Sequence, residues 1–166
     1  PREECGVVGA YTPDDHAARA VFYGLFALQH RGQESAGIAS SDGEEINLHT
    51  SMGLVAQAFR EETLAPLVGT MAIGHTRYST TGSNNISNAQ PILSQGPDVE
   101  LALAHNGNVV NAVELRDELI EWGCTFSSGS DSEIIAHLMS HAPAGSWEER
   151  VAYCMRRLQG AYSLTV

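Results

Sequence analysis

Four residues precede a thiol in the stretch Cys5-Gly6-Val7-Val8-Gly9, and an apolar run follows it directly. A cysteine in that place is either a small buried hydrophobe or a nucleophile whose own α-amine serves as its base. The polar clusters elsewhere bear on the choice. Gln29-His30-Arg31-Gly32-Gln33-Glu34-Ser35-Ala36-Gly37 joins an Arg to a Gly. Such a pair can hold a carboxylate while bare backbone approaches the ligand, although alone the stretch reads as a helix end with solvated charges. His75-Thr76-Arg77-Tyr78-Ser79-Thr80-Thr81-Gly82 emerges from the end of an apolar run, where Arg77 suits a bidentate carboxylate. Ala104-His105-Asn106-Gly107-Asn108 reads as a turn, yet it sets an amide NH₂ beside an unencumbered N–H, the two donors of an oxyanion hole. Ser130-Asp131-Ser132-Glu133 reads as a capped helix start, and Asp131 can also accept from a substrate ammonium.

These residues need elements to place them. Gly6 to Tyr11 reads as a buried strand, and Ala17, Val21, Leu25 and Leu28 recur at helical spacing in a helix that stops at Gly32. Ser35–Ser41 and Glu45–Ser51 flank Asp42-Gly43 as a hairpin. Short helix and loop fill 53–67, Thr70–His75 is a strand, and Arg77–Gln90 is a polar loop. A second hairpin joins Ile92-Leu93 to Val99–Ala104. Three helices follow, each opened by a predicted capping box: Asn111 with Glu114, Ser130 with Glu133, Ser146 with Glu149. The first stops at Gly123, and Ala161–Val166 is a last strand with no turn after it, as though a larger protein continued. This order predicts sheets with helices packed on their outer faces.

The chain has 166 residues, enough for one domain with a sizeable core. A formal net charge of −11 argues against nucleic acid or an anionic membrane as partner. No apolar run approaches a membrane span and no signal segment opens the chain, so the expected compartment is the cytoplasm. Three cysteines, Cys5, Cys124 and Cys154, form neither a disulfide framework nor a metal-ligand spacing.

Together and in this order, the five motifs at 5–9, 29–37, 75–80, 104–108 and 130–133 resemble the class II glutamine amidotransferases. The resemblance runs from Cys5 to the end. His30-Arg31-Gly32-Gln33-Glu34-Ser35 and Tyr78-Ser79 favour the branch whose glutaminase domain is joined to a phosphoribosyltransferase over the glucosamine-6-phosphate synthase branch. The resemblance implies an α+β fold, the four-layer α-β-β-α sandwich of the N-terminal-nucleophile hydrolases. It implies Cys5 as nucleophile, Asn106 and Gly107 as the oxyanion hole, Arg77 on the glutamine α-carboxylate and Asp131 on its α-ammonium. Arg31 and Gly32 would border the nucleophile, and Tyr78 and Thr80 would line the glutamine pocket. It implies no cofactor or metal in this domain. A C-terminal phosphoribosyltransferase domain of the same polypeptide, with Mg and in some members an iron–sulfur cluster, would use the ammonia in the first step of purine synthesis. The full enzyme would be a homo-oligomer.

One departure stands out: family members begin at the nucleophilic Cys, whereas Pro1-Arg2-Glu3-Glu4 precede it here. Residues 1–4 are therefore expected to be a pro-segment and 5–166 a glutaminase domain cut short at its C-terminal end. Two other readings stay open. One is a metal-dependent hydrolase on His75, His105, Asp131, His137 and His141, the last two spaced to chelate zinc on a helix but lacking the Glu of a metalloprotease motif. The other is a non-catalytic packing module.

Overall fold

The computed structural model describes residues 5–28, 34–78, 86–143 and 145–166. Its first half is a sheet with a helix laid on one face. Strand β1 (Gly6–Tyr11) leads to helix α1 (Ala17–Leu28), then to the hairpin β2 (Ser35–Ser41) and β3 (Ile46–Met52). Two single-turn helices, α2 (Val55–Ala58) and α3 (Glu61–Leu64), precede β4 (Met71–Arg77). The strand order is β1-β4-β2-β3, all antiparallel. Side chains alternate across a strand. Val8 and Ala10 of β1 and Ala36 and Ile38 of β2 therefore face Val21 and Leu25 of α1, which are fully buried with Phe59 and Leu64. Helix and sheet lie close because glycines stand at the contact: a Cβ on Gly74 would meet Val21 at 2.4 Å, and one on Gly24 would meet Val8 at 2.8 Å.

The second half repeats the plan. Strands β5 (Ile92–Gln95), β6 (Glu100–Val109) and β7 (Gly160–Thr165) form a sheet in the order β5-β6-β7. Helices α4 (Ala112–Glu121), α5 (Asp131–Ser140) and α6 (Trp147–Arg157) lie between β6 and β7 in sequence. Leu101 and Leu103 of β6 point at the helices and pack with Leu119, Ile135, Leu138 and Met139. The two sheets face each other, so the layers run α-β-β-α. The inner faces use small residues, Gly9, Gly37 and Ala39 on one sheet and Ala102 and Ala104 on the other, which permits close approach.

Several boundaries differ from expectation. The strand expected over Val99–Ala104 continues to Val109, because its second half gains a partner: Ala104–Val109 pair with β7 as its first half pairs with β5. Asn106-Gly107 is thus inside a strand, not in a turn. Long-range pairing overrides the local turn preference of Asn-Gly. Of the three predicted capping boxes only Ser146 with Glu149 forms, each side chain accepting from the other's N–H. Ser130 caps Ser132 N–H at 3.2 Å, but Glu133 turns to the preceding loop. Asn111 makes no cap at all: its amide spans to Arg157 O and Gln159 N, tying the start of α4 to the end of α6. The expected helix stop at Gly32 and the segment 1–4 lie outside the described residues.

A fully buried histidine crosses the seam between the sheets. His75 on β4 faces inward, is fully buried, and donates from Nε2 to the carbonyl of His105 on β6 at 3.1 Å. Burial pushes its imidazole down to about 3, from an ordinary 6.5. Between those values the unfolded chain binds a proton that the folded chain refuses, so stability is full above about 6.5 and falls as the pH drops toward 3. We expect urea unfolding between pH 7 and pH 4 to show this loss at up to about 1.4 kcal/mol per pH unit from His75 alone. His75→Gln should be less stable at pH 7 but flatter with pH. Parallel pH curves for the two proteins would contradict the assignment.

Candidate active site

The register of the first sheet brings distant residues to one edge. Gly6 pairs with Thr76 and Ser35 with Arg77, so Cys5, Glu34 and Arg77 converge at the same end of three strands. Main-chain bonds lock this corner. Glu34 N–H donates to Arg77 O at 2.7 Å, and Tyr78 N–H reaches Cys5 Sγ at 3.5 Å, with Tyr78 O at 3.8 Å from the same sulfur. Cys5 is half-buried, as a reactive thiol must be to meet a substrate. Arg77 Nη1 lies 3.9 Å from Glu34 Oε2, a long ion pair that leaves the guanidinium facing the cleft.

The second sheet supplies the opposite wall through the alternation of β6. Leu101, Leu103 and His105 fall on the helix side, and Ala102, Ala104 and Asn106 on the sheet side. Asn106 therefore reaches across the seam, and its Nδ2 donates to Cys5 O at 2.9 Å. His105 points the other way, to the start of α5, with Nδ1 2.9 Å from Ser132 Oγ and 3.5 Å from Asp131 Oδ1. Gly107 has a φ of +152°, and a Cβ there would lie 2.3 Å from Ala161 O on β7, so only glycine allows the strand to stay paired.

Asp131 opens α5 and accepts from Val109 N–H at 3.2 Å. Burial pushes its carboxyl up, but the His105 contact and the N–H groups of Val109 and Ser132 outweigh that and hold it below the usual range. It is an anion at neutral pH, fit to receive a cation. Cys5, Arg77, Asn106, Gly107 and Asp131 line one cleft of about 650 Å³. Tyr78 meets the thiol through its main chain. Arg31, Gly32 and Thr80, the other expected pocket residues, lie outside the described residues.

Gln90 in the cleft and Glu133 behind its wall have roles that their local sequence does not show. Gln90 is buried just before β5, where β6 extends beyond its partner, and its Oε1 accepts His105 N–H at 2.7 Å in place of a strand. Its Nε2 donates to Ser132 Oγ at 3.0 Å. The available signal was a polar Gln-Pro step at the mouth of an apolar strand. Glu133 was expected to cap its own helix. Instead it accepts four bonds of 2.7–2.8 Å from the N–H and hydroxyl groups of Ser127 and Ser128. Burial pushes its carboxyl up and these donors prevail, leaving it low. The five residues of the expected metal hydrolase do not meet. His105 stands by Asp131 in the cleft, whereas His137 and His141 gather with Cys124.

A thiol, a cleft edged by one cation and one anion, and paired amide donors suit an amino acid whose side chain carries an acyl group. The profile of the glutamine amidotransferase domain family matches residues 75–166, more than half of the chain, and the chain belongs to that family. Its relatives narrow the branch to the one expected from the motifs. It is 51% identical to the amidophosphoribosyltransferase of Synechococcus elongatus, over all of this chain and 34% of that protein. It superposes on the glutamine phosphoribosylpyrophosphate amidotransferase of B. subtilis complexed with ADP and GMP with a TM-score of 0.84 at 38% identity, covering 95% of this chain and 34% of that one. A solved structure of the allosteric regulatory enzyme of purine biosynthesis matches with a TM-score of 0.86 at 39% identity, over the same shares. The four-layer sandwich is thus that of the N-terminal-nucleophile hydrolases. The chain spans about a third of the length of these relatives.

Glu133 gives a direct test of how the cleft wall is held. Removing a buried, fully bonded carboxylate leaves four donors unmatched, so Glu133→Ala should cost about 3 kcal/mol in urea unfolding. Glu133→Gln should recover part of that loss. A cost under about 0.5 kcal/mol would mean that the Ser127–Ser130 loop does not depend on it.

Proposed function

We propose that this chain is a glutaminase domain that hydrolyses the side-chain amide of glutamine with Cys5 as nucleophile. The observation that carries the reading is the convergence of Cys5, Asn106, Gly107, Arg77 and Asp131 on one cleft from two sheets and a helix. Arg77 takes the α-carboxylate as a bidentate pair and Asp131 the α-ammonium. With both ends held, the γ-amide carbon is delivered to Cys5 Sγ. Attack forms a C–S bond, and the carbonyl electron pair moves onto oxygen, where the second N–H of Asn106 Nδ2 and the N–H of Gly107 receive it. The α-amine of Cys5 takes the thiol proton and passes it to the departing ammonia as the C–N bond breaks. Water then hydrolyses the thioester to glutamate and restores the thiol.

The α-amine step requires that the nitrogen of Cys5 be free. An amide nitrogen is no base, so residues 1–4 and whatever precedes them must be removed to expose the catalytic amine. The relatives' greater length and their names support a further reading for the whole protein. A phosphoribosyltransferase domain in the same polypeptide receives the ammonia, which displaces pyrophosphate from phosphoribosyl pyrophosphate to give phosphoribosylamine in purine synthesis. Mg and any iron–sulfur cluster belong to that part. The full enzyme is proposed as a cytoplasmic homo-oligomer. Among the described residues no helix is long and apolar enough to cross a membrane.

Labelling with an electrophilic glutamine analogue, followed by peptide mapping, tests the nucleophile. Modification should fall on Cys5 and be blocked by glutamine, and labelling elsewhere would refute the assignment. Asn106→Ala should lower kcat for glutamine hydrolysis by about 100- to 1000-fold. A loss of only a few-fold would remove Asn106 from the oxyanion hole. Intact-mass measurement addresses processing: full activity in protein still starting at Pro1 would show that the pro-segment need not leave.

A further inference from the structure

The end of α4 and the end of α5 meet away from the cleft. Helix α4 closes with Gly123 at φ +93°, Gly123 N–H bonded to Ile120 O and Cys124 N–H to Leu119 O, both at 2.9 Å. This pair of bonds is the Schellman stop, and it turns the residue after the glycine back against the helix. Cys124 is thereby buried, 7% exposed, and is a free thiol. His137 on α5 and His141, which caps its end, stand one turn apart, so their rings share a face, with centroids 5.9 Å apart. One ligand atom from each of Cys124, His137 and His141 lies within 4.8 Å of the other two.

We propose that Cys124, His137 and His141 form a binding site for a borderline-soft divalent cation of the zinc class. The donor set selects the metal: one thiolate and two imidazoles suit zinc and its neighbours, whereas magnesium and calcium require oxygen ligands. Zn–S near 2.3 Å and Zn–N near 2.0 Å in a tetrahedron call for about 3.3–3.6 Å between ligands, so the three atoms need to close by about 1 Å. The surroundings already orient the rings. His141 Nδ1 lies 3.0 Å from Ser140 Oγ and 3.1 Å from His137 O, so Nδ1 is engaged by its own helix end and Nε2 is the nitrogen left for an ion. His137 Nδ1 lies 3.3 Å from Ser94 Oγ, and the ring also bonds the main chain of Thr125, a contact that the ion would displace. Such outer partners are what metal-bound histidines use to fix their tautomer. On binding, the Cys124 thiol gives its proton to solvent and the S–metal bond forms. Three protein ligands leave the fourth position to water.

The site lies at the far end of α5 from Asp131. Ten residues of helix span about 15 Å, so the ion does not touch the cleft. Its effect is to clamp the α4–α5 connection, which carries Ser127 and Ser128, to the end of α5. Cysteine spacing alone hides the site because two of its three ligands are histidines.

The test uses the whole chain, stripped with a chelator and titrated with Co²⁺ and then Zn²⁺. One equivalent of Co²⁺ should give a near-ultraviolet thiolate-to-cobalt charge-transfer band that Zn²⁺ displaces. At about a hundred-fold excess over its Kd, Zn²⁺ should raise Tm by about 5–10 °C. Cys124→Ser should abolish the band, and His141→Gln should weaken Zn²⁺ binding by more than about tenfold. Cys5→Ala should retain both the band and the Tm shift. No band in the wild type, a band surviving Cys124→Ser, or a band lost in Cys5→Ala would each overturn the proposal.

Discussion

The hydrogen bond from His75 to the carbonyl of His105 is the buried polar contact that joins the two halves of the molecule, alongside that of Asn106 with the carbonyl of Cys5. Each sheet buries its apolar residues against its own helices, in two separate clusters. Between the sheets the facing residues include Gly9, Gly37, Ala39, Ala102 and Ala104, which let the two sheets approach closely. A buried imidazole that bonds a main-chain carbonyl on the opposite strand fixes both the spacing and the offset of the sheets. It does so as a neutral donor, because burial disfavours its charged form.

The offset matters because the cleft is built on the next residue. With His105 O held from one sheet, alternation sends the His105 ring toward α5 and Asn106 toward Cys5. Gln90 and Ser132 complete the far side, and Gln90 takes the N–H that β5 is too short to pair. A single strand, β6, thus hands one side chain to the cation-accepting end of the cleft and the next to the thiol end. The glycine that follows keeps the strand against β7 where any side chain would strike Ala161.

Local patterns were legible where local forces decide. The strand at Gly6–Tyr11, the hairpin around Asp42-Gly43, the stop at Gly123 and the capping box at Ser146 all appear in the structure. Patterns failed where a distant partner outbid the local one. Asn106-Gly107 reads as a turn until β7, more than fifty residues later, pairs with it. Asn111 has the right residue type for a cap, yet its amide finds partners at the end of α6, whereas Glu133 turns to Ser127 and Ser128 in the loop just before its own helix. No periodicity signals Gln90, whose partners lie on β6 and α5.

By itself the sequence determined the residue types of the cleft, their order along the chain, and the helices and strands that hold them. Side-chain chemistry and short-range periodicity are properties of neighbouring residues. Only the tertiary structure decided which of those residues meet: that Cys5 lies against Asn106, that His105 serves Asp131, and that His137 and His141 leave both for Cys124. Those meetings are set by sheet register and by the seam between two sheets. Register is fixed by hydrogen bonds and burial summed over segments far apart in the chain, and no local window contains them.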